Sequence, residues 1–176
     1  MAIVGLVVAI PVTLAIQGGD DSSDAPAPPE PDLPELGPVT VDRDLGVALR
    51  LPAGWESGRK QGAVTYRSAD RSVLIAISSP GPAEDSDAIQ KEAVAAVERE
   101  YRQAEVLDRT SKPKLGDQPA SSAVLSARRP EGGGALRILV ATAKGEKRAY
   151  LVEVFAGGSS ALVEAQALLN NLRLGG

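Results

Sequence analysis

Leu45-Gly46-Val47-Ala48-Leu49-Arg50-Leu51-Pro52-Ala53-Gly54-Trp55 is the stretch on which the fold turns. Leu45, Val47, Leu49 and Leu51 recur with period two, which places them on one face of a β-strand and Gly46, Ala48 and Arg50 on the other. Pro52 has no backbone donor with which to continue a ladder, and Gly54 accepts a positive φ, so the strand ends in a turn before Trp55, the only tryptophan. The indole then folds back over the sheet edge. Two readings of Trp55 follow: a plug that closes the end of the core, and a half-exposed aromatic wall of a binding cleft.

On its N-terminal side, residues 39–42 read as a strand and Arg43-Asp44 as the turn that makes an antiparallel hairpin with the quoted stretch. A polar loop is expected over residues 56–62. Val64, Tyr66 and Ser68 alternate with polar residues, and Val73, Ile75 and Ile77 lie opposite Leu74 and Ala76, so residues 64–68 and 72–78 form a second hairpin about Ala69-Asp70-Arg71. Leu74 and Ala76 make the second face apolar as well, and a sheet apolar on both faces needs cover on both.

Helical cover begins after Ser79-Pro80-Gly81-Pro82. Ser86 is the expected N-cap, Asp85 and Asp87 suit the helix dipole, and Ile89, Ala93, Val97 and Tyr101 recur at spacing four in a helix ending near Arg102. Glu84, Asp85 and Asp87 also admit reading as a carboxylate cluster for metal or acid/base work, although capping and dipole roles explain them. Residues 104–111 form a strand and residues 112–119 a loop. Residues 122–129 then enter a three-stranded meander with the strands around Leu136-Ile138-Val140 and Tyr150-Val152-Val154. Lys144-Gly145-Glu146-Lys147 predicts a two-residue hairpin with Gly145 first at its centre. Gly157-Gly158-Ser159-Ser160 opens a last helix striped by Leu162, Ala165, Leu169 and Leu172 and ended by Gly175 and Gly176.

A chain of 176 residues holds one domain with appendages. Histidine and cysteine are both absent, which excludes a disulfide, a Cys/His zinc site and any Ser-His-Asp or Cys-His relay built within this chain. A net charge of −4 and 3% aromatic residues offer nucleic acid neither a basic footprint nor a stacking platform. No cofactor, metal ligand set or catalytic residue is read from the chain.

Residues 2–16 are apolar or small apart from Thr13 and are bent by Pro11. The run is shorter than the ~20 residues that span a hydrocarbon core and has no Lys/Arg flank. Residues 1–16 are read as an N-terminal membrane anchor, with a cleaved secretion signal as the alternative. Residues 17–38 carry Asp20-Asp21-Ser22-Ser23-Asp24 and then dense proline, the composition of a disordered, solvated spacer. The acidic trio has a weak Ca²⁺-binding reading as well. Residues 39–176 form the globular domain.

The candidate interaction surface is Trp55, Tyr66, Arg128 and Arg137. Arg128, Arg129, Arg137, Lys144, Lys147 and Arg148 lie on or near the meander. They read either as a basic patch for anionic headgroups or an acidic partner, or as edge charges that discourage strand-to-strand aggregation.

The element order, Leu51-Pro52-Ala53-Gly54-Trp55, the Leu115-Gly116-Asp117-Gln118-Pro119-Ala120 loop and the 145–150 hairpin together resemble the PsbP/Mog superfamily. They are most similar to its bacterial envelope-anchored members, including the LpqN-like lipoproteins, across residues 39–174. The chain departs from the lipoprotein members in having no cysteine to lipidate. The resemblance implies an α+β fold, an α/β/α sandwich around a twisted, mainly antiparallel sheet of about six to eight strands with two main helices. It also implies non-enzymatic work. The expectation is an extracytoplasmic, membrane-tethered protein-binding or assembly module whose partner is another envelope protein. The alternative is a small-molecule or lipid carrier, with an apolar ligand between sheet and helix near Trp55 and Tyr66; a Ser/Lys or paired-carboxylate hydrolase stands third, without supporting spacing.

Overall fold

The structure, a computed structural model, describes residues 35–110, 114–129 and 134–175. The anchor segment and nearly all of the spacer lie outside the described residues, the acidic trio included. Among the described residues no helix is long and apolar enough to cross a membrane.

The chain opens with the expected hairpin. β1 (Leu36–Asp42) runs antiparallel to β2 (Val47–Pro52), with Val39 opposite Arg50 and Asp42 opposite Val47. Asp42 fixes the turn by accepting the Leu45 amide at 3.0 Å, and Gly46 completes it at φ +66°. Val47, Leu49 and Leu51 are buried, as period two requires.

This hairpin stands apart from the main sheet. β1, β2 and the two-residue β11 (Arg173–Leu174) form a separate three-stranded sheet in the order β1-β2-β11. The alternation in β2 is that of a strand buried on one face only, and a small sheet laid over a larger one supplies that environment.

The larger sheet has eight strands: β3 (Glu56–Lys60), β4 (Ala63–Arg67), β5 (Val73–Pro82), β6 (Arg102–Thr110), β7 (Lys114–Leu115), β8 (Gln118–Arg128), β9 (Ala135–Lys144) and β10 (Arg148–Ala156). Their order is β3-β4-β5-β10-β9-β8-β6, with β7 paired to β8, and every pairing is antiparallel. The meander β8-β9-β10 and the β4-β5 hairpin are present as expected. In the β4-β5 turn the Asp70 carboxylate accepts the hydroxyls of Ser68 (2.6 Å) and Ser72 (2.9 Å), and Arg71 takes φ +61°.

Residues 56–60, expected within a loop, are strand β3. All five are exposed on the sheet edge, so no apolar alternation marks them. Gln61 and Gly62 both have positive φ, the geometry of the two-residue turn that joins β3 to β4. The β9-β10 turn is also displaced. Lys144 pairs with Ala149 and the Gly145 amide donates to the Arg148 carbonyl at 2.9 Å, so Glu146 and Lys147 are its central residues. Gly145 serves another purpose: a Cβ there would meet the Tyr150 ring at 2.8 Å.

α1 (Ser86–Glu100) covers one face of the larger sheet against β5, β6, β8, β9 and β10. A 3₁₀ turn, Ala83–Asp85, precedes it. Asp85 therefore holds the N-cap position, and Ser86 is buried inside the first turn rather than capping it. Ala93, Val94 and Val97 are buried beneath α1, and Tyr101 meets Phe155 at 5.8 Å between ring centres.

α2 (Ser159–Leu169) and the small sheet cover the opposite face. Here Tyr66, Ile75, Leu139, Val152 and Val154 meet Val47, Leu49, Leu162 and Leu169, all buried. α2 stops before the glycines expected to end it. The amides of Asn170, Asn171 and Leu172 close its last turn, and Gly175 instead donates its amide to the Gly46 carbonyl at 2.6 Å. Pairing of β11 with the free edge of β2 wins over continued helix. The Tyr150 hydroxyl secures this closure, its single proton shared between the Leu45 carbonyl (3.0 Å) and the Gly175 carbonyl.

Candidate functional site

Strand register brings Arg128 and Arg137 onto one face. Arg137 lies opposite Ser126 and Arg128 opposite Ala135, so the two arginines are diagonal neighbours across β8 and β9. Arg102, which sequence reasoning missed, pairs directly with Arg128 from β6, the free edge of the sheet. The three form a cationic row on the face that carries Leu139 and Val154 further in. Arg102 and Arg128 are exposed and Arg137 half-exposed.

Like charges directly opposite in a ladder disfavour the pairing. β6 nevertheless holds them together through a bulge between Arg102 and Glu105, where Gln103 adopts φ +51°. A side chain other than glycine in that region is strained. The bulge leaves no pattern in the sequence, so Arg102 is legible there only as one more charge after α1.

The other basic residues of the meander go elsewhere. Arg129 lies near Tyr101, whose phenol is pushed up to about 12 by burial, with smaller contributions from Glu100 and Glu153 and a small opposing one from Arg129. Lys144 and Lys147 lie at the far β9-β10 turn, and Arg148 donates to the Asp44 carbonyl at 3.2 Å. Arg137 and Lys144 are seven residues apart on one strand, roughly 24 Å. The six do not form one patch.

Tyr66, expected at an interaction surface, has 0% of its surface exposed. It lies on β4 opposite Ile75 and shares its face with Val64, in the layer beneath the small sheet. Its alternation with Val64 is therefore core patterning. The phenol is pushed up to about 12, first by burial and then by the nearby Asp42 charge, and its hydroxyl has no hydrogen-bond partner among the described residues. Trp55 is half-buried against the core, and its amide donates to the Pro52 carbonyl at 3.4 Å after Gly54 at φ +82°. β4 is four strands away from β8, roughly 19 Å, so Tyr66 and the arginine row do not converge.

Three described clefts lie elsewhere, and neither Trp55 nor Tyr66 lines any of them. One of about 90 Å³ sits between α1 and the β5-β10 side of the sheet at Pro80, Ile89 and Leu151. A second, about 470 Å³, opens at the start of α1 beside Thr142 and Lys144. The third, about 520 Å³, lies on the outer side of the small sheet and is lined by Arg50, Arg173, Asp117, Asn170 and Asn171. Its wall is the 115–120 loop that the sequence singles out. Among the described residues no group of three His, Cys, Asp or Glu side chains gathers to hold a metal, Glu84, Asp85 and Asp87 included.

Glu153 is a further feature that periodicity conceals. It lies in an otherwise apolar run, 2% exposed, on the α1 face between Ala76 and Val140. Burial, reinforced by the Glu100 charge, raises its pKa well above the ordinary glutamate value, which favours the neutral carboxyl. Its Oε1 and the Thr142 hydroxyl on the same face have no hydrogen-bond partner among the described residues.

With this architecture in view, the chain is similar in fold to cyanobacterial PsbP (CyanoP) from Synechocystis sp. PCC 6803. That likeness has a TM-score of 0.57 at 12% identity and covers 78% of this chain and 91% of that one. A protein from Bacteroides thetaiotaomicron is similar over the same 78% of the chain at 13% identity and a TM-score of 0.55, and this chain matches 48% of its length. No protein-family profile matches the sequence, and no curated protein matches it. The fold is PsbP-like: an α+β sandwich of a large and a small antiparallel sheet with two helices.

Proposed function

We propose that this chain is a non-enzymatic protein-binding or assembly module, tethered to the cell membrane through residues 1–16 and held clear of it by the acidic, proline-rich spacer. The observation that carries this reading is the row Arg102-Arg128-Arg137, three cations gathered on one sheet face against their mutual repulsion. Arginine forks match carboxylates in two-point contacts, so the row suits an acidic surface of another envelope protein. The PsbP-like fold and the residues resembling envelope-anchored, LpqN-like members of the PsbP/Mog superfamily agree with it.

A photo-reactive amino acid placed at Ser126, between Glu105 and Arg137 in the ladder, tests the reading in the envelope of the source organism. A discrete protein adduct that disappears when Arg102, Arg128 and Arg137 are changed to Glu is the expected result. An adduct the size of a lipid or metabolite replaces the module with the carrier. An adduct pattern unchanged by the charge reversals overturns the role given to the arginines.

A further inference from the structure

The cleft on the outer face of the small sheet has a charge layout of its own. Arg173 lies opposite Ala48, and Arg50 stands two residues further along β2 on the same face. Such diagonal neighbours lie about 7–8 Å apart, so two arginine side chains can reach one carboxylate between them. Both arginines are exposed, and neither makes an ion pair among the described residues. The same cleft also carries negative charge. Asp117 projects from the loop that Gly116 clamps onto the chain after α2, and the C-terminal end of α2 lies beside it at Asn170 and Asn171. The last carbonyls of α2 are already bonded: Gln166 by Asn170, Ala167 by the Asn171 carboxamide at 3.3 Å, Leu168 by Asn171, and Leu169 by Leu172 and Gly116. The helix end therefore contributes its field rather than a free acceptor.

The charge sum selects the ligand. Two guanidiniums, one carboxylate and a helix end worth about half a negative charge leave roughly half a positive charge over the cleft. A dianion such as a phosphate monoester would overshoot that balance and lie against Asp117. A ligand with one carboxylate and one ammonium matches both signs of charge, the anion on Arg50 and Arg173 and the cation toward Asp117 and the end of α2. The carboxamides of Asn170 and Asn171 supply neutral donors and acceptors between the two poles.

We propose that this cleft, of about 520 Å³, binds a zwitterionic α-amino acid or short peptide, its carboxylate between Arg50 and Arg173 and its amino group toward Asp117. The site is independent of the arginine row. Calorimetric and NMR titrations of the full chain at low salt with alanylalanine, its N-acetyl form and its C-terminal amide test the proposal. Binding is expected for alanylalanine at concentrations up to about 10 mM, with loss on amidation and about tenfold weakening in R50Q and in R173Q. D117N should weaken alanylalanine but leave the N-acetyl form unchanged, a difference that general loosening of the fold would not produce. No binding of any of the three probes overturns the proposal, as does equal binding of the amide or unaltered affinity in R50Q and R173Q. Binding of inorganic phosphate in preference to alanylalanine overturns it too.

Discussion

Gly116 is packed so tightly against Leu172 that a methyl group on its α-carbon would overlap the Leu172 carbonyl oxygen, and its φ of +59° already favours glycine. The Gly116 amide donates to the Leu169 carbonyl at 3.1 Å, which joins the β7-β8 loop to the end of α2. Two independent reasons, conformation and close approach, thus hold this position as glycine. Gly62 isolates the first of them: it has φ +85°, and a Cβ added there would meet nothing within 4 Å.

Gly62→Ala should therefore lower stability by about 1 kcal/mol, the left-handed backbone cost alone. Gly116→Ala should cost about 3 kcal/mol or more, because the loop must also move away from Leu172. Urea unfolding midpoints of the two variants measure the difference directly. Equal losses would show that the loop yields to a methyl group at no cost.

Glu153 sets the pH dependence on the alkaline side. Its folded pKa lies above its unfolded one, so the folded state holds the proton to higher pH. Stability is fully present below the ordinary glutamate value of 4.5 and falls as pH rises from there through the raised folded value. The slope reaches at most about 1.4 kcal/mol per pH unit. Glu153→Gln should flatten this limb and melt higher than the parent at pH 8. Thermal unfolding between pH 5 and pH 8 measures it, using a range set by these directions. Asp42 and Asp70 act in the opposite sense: their pKa values are lowered, Asp42 chiefly by the Leu45 amide and Asp70 chiefly by the Ser68 hydroxyl. Their contribution is lost only as pH falls below about the ordinary aspartate value of 3.8.

Asp42 and Arg59 form a two-point ion pair, with Nη2 2.6 Å from Oδ2 and Nε 3.1 Å from the same oxygen, and Asp44 adds a second carboxylate at 2.8 Å. The pair ties β1 to β3, the hairpin to the edge of the larger sheet. Asp42 also fixes the β1-β2 turn through the Leu45 amide, whereas Arg59 reaches that turn only through the exposed Asp44 carboxylate. Asp42→Ala should consequently lower the urea midpoint more than Arg59→Ala does. Added salt should narrow the gap little, since the turn contact is not an ion pair. Equal effects of the two substitutions would reduce Asp42 to its charge.

How much of this is legible in the sequence follows from what each signal measures. Val47, Leu49 and Leu51 announce a one-sided strand because burial of one face imposes period two. β3 looks like loop in the sequence because an edge strand exposed throughout imposes no period. Arg128 and Arg137 can be named as charges near the meander, but their alignment with Arg102 depends on a bulge and a register that local sequence does not encode. Tyr66 misleads for the converse reason: an amphipathic side chain carries no mark of the layer above it.

The strand and helix succession apart from β3, β7 and β11, the two-sided apolar sheet and the exclusion of histidine- and cysteine-based chemistry were already fixed in the order of residues. Those properties reside in periodicity, turn residues and composition, and the first two act over a few neighbouring positions. It took the folded chain to show that the opening hairpin closes a separate sheet with Arg173 and Leu174, and that α2 ends early to allow it. The backbone donors of β2 had to find acceptors, and which distant segment supplied them was settled by packing across the whole domain. The same packing brought Asp117 and the end of α2 into one cleft with Arg50 and Arg173, residues as far apart along the chain as β2 and β11.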